Sequence, residues 1–156
     1  MVLTDIGVSC FVFVLLGGLN EQRRYLYLLL RDVDRLRERA EAASELATES
    51  ATRFRRSASQ ILLGWAEVVH NDFDVGIARM RPNLVEFRAY GAEIRVAQWL
   101  TLIAAGLGKA GKPGDGLLEI DAALATIERS GERRYEAEVY RIEGELLLVQ
   151  NSLNGV

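Results

Sequence analysis

The residues that could do chemistry are few. His70 is the only histidine, and imidazole is both the side chain that titrates near neutral pH and the commonest metal ligand. It stands beside Asn71 and Asp72 at the end of an apolar-periodic stretch, where a cation complements a helix C-terminus. A zinc site would need two or three further ligands, and no His/Cys cluster occurs, because Cys10 is the only cysteine. Cys10 lies in an apolar run, where a thiol is normally inert. Glu136 with Glu138, and Glu143 with Glu145, stand two apart, and such positions do not face each other on a helix. Gly106 to Gly111 is glycine-rich but does not spell the G-x-x-x-x-G-K-[ST] phosphate loop. Arg53, Arg55 and Arg56 are diluted by neighbouring acids and read as a surface face. The aromatics Trp65, Phe87, Tyr90 and Trp99 could line a groove, but at helical spacing they fit a core better. The residues therefore imply no enzyme, no cofactor and no metal.

The totals agree. The chain has 156 residues, 49% of them apolar, with a net charge of −3. One domain is expected, and there is no basic footprint for nucleic acid. An unpaired cysteine suits a reducing compartment, so a cytoplasmic location is expected. Ile6 to Leu19 is an apolar run of 14 residues, short of the roughly 20 that span a bilayer. It lacks the basic flank and small-residue cleavage site of a secretory signal. No membrane association is expected. The run reads as a buried or partner-covered segment, and residues 6–30 offer a surface for self-association.

Helical periodicity organises the rest. Residues 1–31 form an apolar segment, in which Ile6–Leu19 and, after Arg23-Arg24, Tyr25–Leu30 read as pieces of a degraded first helix. A helix over Asp32–Glu49 carries Val33, Leu36, Ala40, Ala43, Leu46 and Ala47 on one face, with Asp32 as N-cap. After a turn at Ser50–Thr52, a helix runs from about Arg53 to His70. Asp74 can cap the next, which runs to about Tyr90 and closes at Gly91. Pro82 predicts a kink there or a fresh helical start. Ala92–Ala110 is a helix with Ile94, Ala97, Leu100, Ile103, Ala104 and Leu107 as its stripe. Gly111-Lys112-Pro113-Gly114 is a turn. Asp115 then caps a helix with Leu117, Leu118, Ile120, Ala123, Leu124 and Ile127 inward, ending at Gly131. The last helix covers Arg134 to about Gln150, with Val139, Ile142, Leu146 and Val149 apolar. Residues 151–156 read as a frayed tail. No stretch alternates like a strand.

A shift of 40 brings these elements onto one another. Gly64 falls on Ala104, Gly76 on Gly116 and Gly91 on Gly131, and a further step puts Gly144 on the Gly64/Ala104 position. Ala123 lies two turns beyond Gly116 on the same face. Gly64 and Gly76 would face each other across a hairpin, as would Ala104 and Gly116. Internal repetition on this scale signals a helical repeat.

The small-residue spacing resembles the tetratricopeptide repeat, with longer helices. Gly108 to Leu148 (GKAGKPGDGLLEIDAALATIERSGERRYEAEVYRIEGELLL) is similar to a C-terminal repeat region of bacterial signalling proteins. In those proteins a class III adenylate or guanylate cyclase, or a DNA-binding regulator, is joined to an AAA-type ATPase. Gly64 to Glu93 looks like the preceding repeat, and Asp32 to Glu49 like a helix one repeat earlier. The resemblance implies an all-α fold over residues 32–150: antiparallel helical hairpins stacked as a tetratricopeptide-like right-handed solenoid. It implies a scaffold that binds another protein or another domain of a signalling ATPase or cyclase. On its pattern the first helix of each repeat faces the concave side, which points to Trp65, Gln98, Thr101, Glu138, Arg141 and Glu145 as partner-binding residues. Pro82 departs from the family pattern, and the cyclase and ATPase domains are absent. Two other readings follow: a regulatory fragment of such an enzyme, or a self-associating structural module.

Overall fold

Three backbone turns set the architecture, and they recur with the sequence period. Arg31, Asn71 and Gly111 have φ of 57°, 71° and 74°, in the left-handed region that glycine and asparagine tolerate and most residues avoid. Each turn is built alike. The left-handed residue donates its N–H to the carbonyl three residues back: Arg31 to Leu28 (3.2 Å), Asn71 to Val68 (3.1 Å) and Gly111 to Gly108 (3.1 Å). The next N–H reaches back five, from Asp72 to Glu67 (3.0 Å) and from Lys112 to Leu107 (2.9 Å). That pair is the Schellman closure, which satisfies the last carbonyls of a helix. Arg31 takes this conformation at an expected cost of about 1–2 kcal/mol.

The computed structural model describes residue 28 and residues 31–45, 53–91 and 93–155. The apolar run Ile6–Leu19 with Cys10, the rest of Tyr25–Leu30, Leu46–Glu49, the Ser50–Thr52 turn and Ala92 lie outside them. Six α-helices follow one another among the described residues: α1 (Val33–Glu45), α2 (Arg53–Val69), α3 (Phe73–Ala89), α4 (Val96–Lys109), α5 (Pro113–Ser130) and α6 (Glu136–Asn154), the last preceded by a 3₁₀ turn at Arg133–Tyr135. There is no strand among them. None of these helices is long and apolar enough to cross a membrane.

The ends differ in places from the sequence expectation. Asp32 caps α1 as expected, its Oδ1 accepting the Arg35 N–H at 3.2 Å. Asp74 and Asp115 do not cap. Their helices begin one turn-step earlier, at Phe73 and at Pro113 in the first turn, so both carboxylates sit inside the first turn. There they still complement the helix dipole. Pro82 starts no new helix: α3 is continuous through it. Pro82 and Ala78 are both exposed, so the carbonyl that loses its amide partner faces solvent. α4 begins at Val96 rather than Ala92, because Arg95 turns to φ 68° and gives its N–H to Glu132 at 2.9 Å. Ile94 and Leu118 are exposed, not inward. α6 continues to Asn154, so most of the expected frayed tail is helical.

Consecutive helices pack on one another, and every second pair also touches: α2 on α4 and α4 on α6. An aromatic cluster joins the first of these. Phe54 of α2 stacks on Phe87 of α3 (centroids 4.4 Å apart), and Phe87 meets Trp99 of α4 edge-on at 6.0 Å. Small residues permit the close crossings. A Cβ added at Gly64 would lie 2.7 Å from the Gly76 carbonyl oxygen, and one at Gly116 would lie 3.0 Å from that of Ala104.

The stacking contacts also repeat, with sizes exchanged. Val68 of α2 packs over Gly106 of α4, and one period on Leu146 of α6 packs over Gly108 of α4. Large meets small in both, with the partners reversed. Ion pairs bind the units further: Arg79–Glu67 at 2.6 Å within the α2–α3 pair, and Arg81–Glu119 at 2.8 Å and Lys112–Asp74 at 3.2 Å between units.

Candidate functional site

His70 and Glu136 are engaged in structural contacts. The His70 ring Nδ1 lies 2.7 Å from the Ala66 carbonyl, to which it donates as the N–H tautomer, and its other nitrogen lies 3.9 Å from Asp34. The ring therefore closes the end of α2. Among the described residues no group of three or more His, Cys, Asp or Glu could hold a metal ion. Glu136 pairs with Arg133 at 2.7 Å. Arg79 holds Glu67 and the Gln60 side-chain oxygen, and Gln60 in turn donates to Ser44 at 2.9 Å. This chain of side chains ties α1, α2 and α3 together.

A shallow open depression of about 300 Å³ is lined by Arg81, Leu84, Val85 and Arg88 of α3, Leu100 and Ile103 of α4, and Glu119 of α5. Its polar groups are guanidinium and carboxylate, and Arg81 and Glu119 already satisfy each other. Phe87 and Trp99 belong to the core, Trp65 is half-buried against it, and Tyr90 is exposed.

The six residues expected to face a partner occupy three repeat positions. Gln98 and Glu138 share a position with Ala58; Thr101 and Arg141 share one with Ile61; Trp65 and Glu145 share one with Ala105. The structure separates them by environment. Gln98 and Thr101 are buried in α4, so they present nothing to a partner. The Thr101 hydroxyl donates to the Ala97 carbonyl at 2.6 Å, while the Gln98 side-chain oxygen has no hydrogen-bond partner. Both correct the sequence expectation: α4 is covered on nearly all sides, which a single helical period cannot reveal.

Glu138, Arg141 and Glu145 are exposed on α6. Arg141 holds Glu138 through two bonds of 2.6 and 2.7 Å and also bonds Glu145. The Glu138 hydrogen bond shifts the guanidinium pKa upward, partly opposed by burial and helped by the charges of Glu138 and Glu145. The triad is a neutralising strip along one flank of the helix.

Beside that strip lies a surface the sequence reading missed. Val68, at the α2 version of its repeat position, is 0% exposed, whereas Leu148 is 71% exposed. Leu107 is 3% and its counterpart Leu147 is 44%; Leu100 is 4% and its counterpart Tyr140 is 53%. Gly144, at the position of Gly64 and Ala104, has no atom within 4 Å of where its Cβ would be. In α2 and α4 this face is covered by the helix that follows. In α6, no described residue covers it. The signal was present as a second apolar line, Tyr140, Leu147 and Leu148, beside the inward line of Val139, Ile142 and Leu146.

Comparison with protein-family models, with curated proteins and with solved structures finds no match for this chain.

Proposed function

We propose that this chain is a non-catalytic helical-repeat scaffold, a tetratricopeptide-like right-handed solenoid whose work is to bind another protein or domain. The observation that carries the reading is the left-handed turn that recurs at Arg31, Asn71 and Gly111, each with the same three-back hydrogen bond, the last two also with the same five-back bond. Repetition of a packing unit, with ion pairs such as Arg79–Glu67 and Arg81–Glu119 joining its helices, is what a scaffold requires. The sequence resemblance supplies the class of partner: a bacterial cyclase or transcriptional regulator joined to an AAA-type ATPase, met in the cytoplasm. The Glu138–Arg141–Glu145 strip and Trp65 are the polar and aromatic anchors such a partner would use.

The test is co-purification of the tagged chain with such an ATPase from its own host cells, using wild type and the Glu138→Ala/Arg141→Ala/Glu145→Ala variant. Near-equal stoichiometry that falls in the variant supports the reading. Equal recovery by both removes the strip from the interface. Cyclase and ATP-hydrolysis assays on the isolated chain should give no turnover, and turnover in either would overturn the non-catalytic reading.

A further inference from the structure

We infer that the uncovered face of α6 is a homodimer surface, on which a second copy of α6 takes the place that α3 takes on α2. The inference rests on the repeat reading above but on no particular signalling partner.

The template is within the molecule. On α2, Gly64 and Val68 stand four apart and receive α3 antiparallel. Val68 is the knob: its Cγ2 would be 2.7 Å from a Cβ at Gly76, so only glycine leaves room for it. Gly64 is the hole, lying against the Gly76 carbonyl and the Met80 side chain. α6 presents the same pair at the same repeat positions, Gly144 as hole and Leu148 as knob, flanked by Tyr140 and Leu147.

A face that carries its own knob and its own hole is self-complementary. A two-fold axis crossing α6 between residues 144 and 148 runs two copies antiparallel. It sets Leu148 of each over Gly144 of the other, so one knob-in-hole contact is made twice. An isologous interface requires this property of a single patch. No other helix face offers it: among the described residues, Gly64, Gly76, Gly106, Gly108 and Gly116 all have close neighbours, and Gly114 lies at a helix start.

Charge permits the pairing. The Glu138 and Glu145 carboxylates both pair with Arg141 on the flank, so the one net negative charge of each strip stays at the solvated edge of the apolar patch. A single helix pair makes a small interface, at the low end of stable protein contacts. Association is therefore to be looked for at micromolar concentrations and above.

Sedimentation equilibrium of the full chain over the micromolar range tests this, with circular dichroism melts of each variant alongside. Wild type should dimerise reversibly. Gly144→Leu fills the hole and Leu148→Glu charges the knob, and each should weaken dimerisation at least about tenfold, the equivalent of 1.4 kcal/mol. Both sites are exposed in the monomer, so melts taken on protein too dilute to associate should show no loss. Geometry is read separately in a Cys10→Ser background. A mixture of Gly144→Cys and Leu148→Cys chains should give a disulfide-linked dimer faster than Leu118→Cys, an equally exposed control on α5. A monomer throughout overturns the proposal. So does a dimer indifferent to both substitutions with no preferred cross-link, which would assign association to another surface such as residues 6–30. Neither result touches the repeat reading. That reading fails instead if Gly76→Leu, in the covered unit, leaves the melt unchanged.

Discussion

α4 and α6 are one period apart and carry the same pattern of small and apolar residues, yet one is buried nearly all round and the other is open along a full face. α4 packs against α2, α3, α5 and α6; α6 packs against α4 and α5. The substitutions between them follow the difference in cover. Gln98, Thr101 and Ala105 become Glu138, Arg141 and Glu145, a strip that water can solvate. Leu100 and Leu107 become Tyr140 and Leu147, which stay apolar although exposed. A repeat position fixes which way a side chain points, and the neighbouring unit decides whether it is buried. Half of the α6 face has been adapted to solvent and half has kept the chemistry of a contact.

The largest effect that separates the two regions should come from truncating an aromatic in the covered one. Phe87 stacks on Phe54 and abuts Trp99, so Phe87→Ala should lower stability by about 3–5 kcal/mol. Leu148→Ala, on the open face, should stay within about 0.5 kcal/mol. Urea denaturation of both variants checks the contrast, and equal losses would break it.

Next come the glycines of the hairpin crossings. A Cβ at Gly76 meets the Gly64 backbone and Val68, whereas one at Gly116 meets Leu146, which can turn aside, and the Ala104 carbonyl at 3.0 Å. Gly76→Ala should therefore be the more damaging, by about 1–3 kcal/mol from overpacking, with Gly116→Ala milder. The reverse order would mean that the two hairpins cross differently from the geometry described.

The smallest separation is electrostatic. Arg79 joins α2 to α3 through Glu67, which is mostly buried, and through Gln60. Its loss should cost about 1 kcal/mol or slightly more. Arg141 pairs only within α6, where exposed ion pairs contribute about 0.2–1 kcal/mol. Arg141→Ala should therefore be the milder change in denaturation, and added salt should narrow the gap.

Much of this is legible in the sequence. The helices observed over residues 53–69, 73–89 and 113–130 follow from apolar periodicity except at the starts of the last two, where the sequence reads Asp74 and Asp115 as caps and Pro113–Gly114 as a turn, and Gly91 and Gly131 close α3 and α5 at φ 72°. What escaped depends on tertiary context. Ile94 and Leu118 fit a helical stripe but lie outside the packed face. The repeat pattern points to Gln98 and Thr101 as partner-facing, yet α4 has neighbours on almost every side. Asp74 and Asp115 resemble caps, but the Schellman turns before them start their helices earlier. Pro82 reads as a breaker, but on a solvated face the freed carbonyl can be satisfied by water. The open face of α6 was hidden because a second apolar line beside the first looks like a broader core stripe.

The central claim is that equivalent repeat positions differ in what covers them, and Gly64 and Gly144 are the most direct pair. Leucine should be placed at each in turn and the denaturation midpoint measured on dilute protein, so that association does not contribute. Gly64→Leu should show a clear fall, about 1–3 kcal/mol, because its Cβ meets Met80 and the Gly76 carbonyl. Gly144→Leu should show no loss. Comparable destabilisation at both positions would mean that α6 is covered in the folded monomer, and would contradict the account.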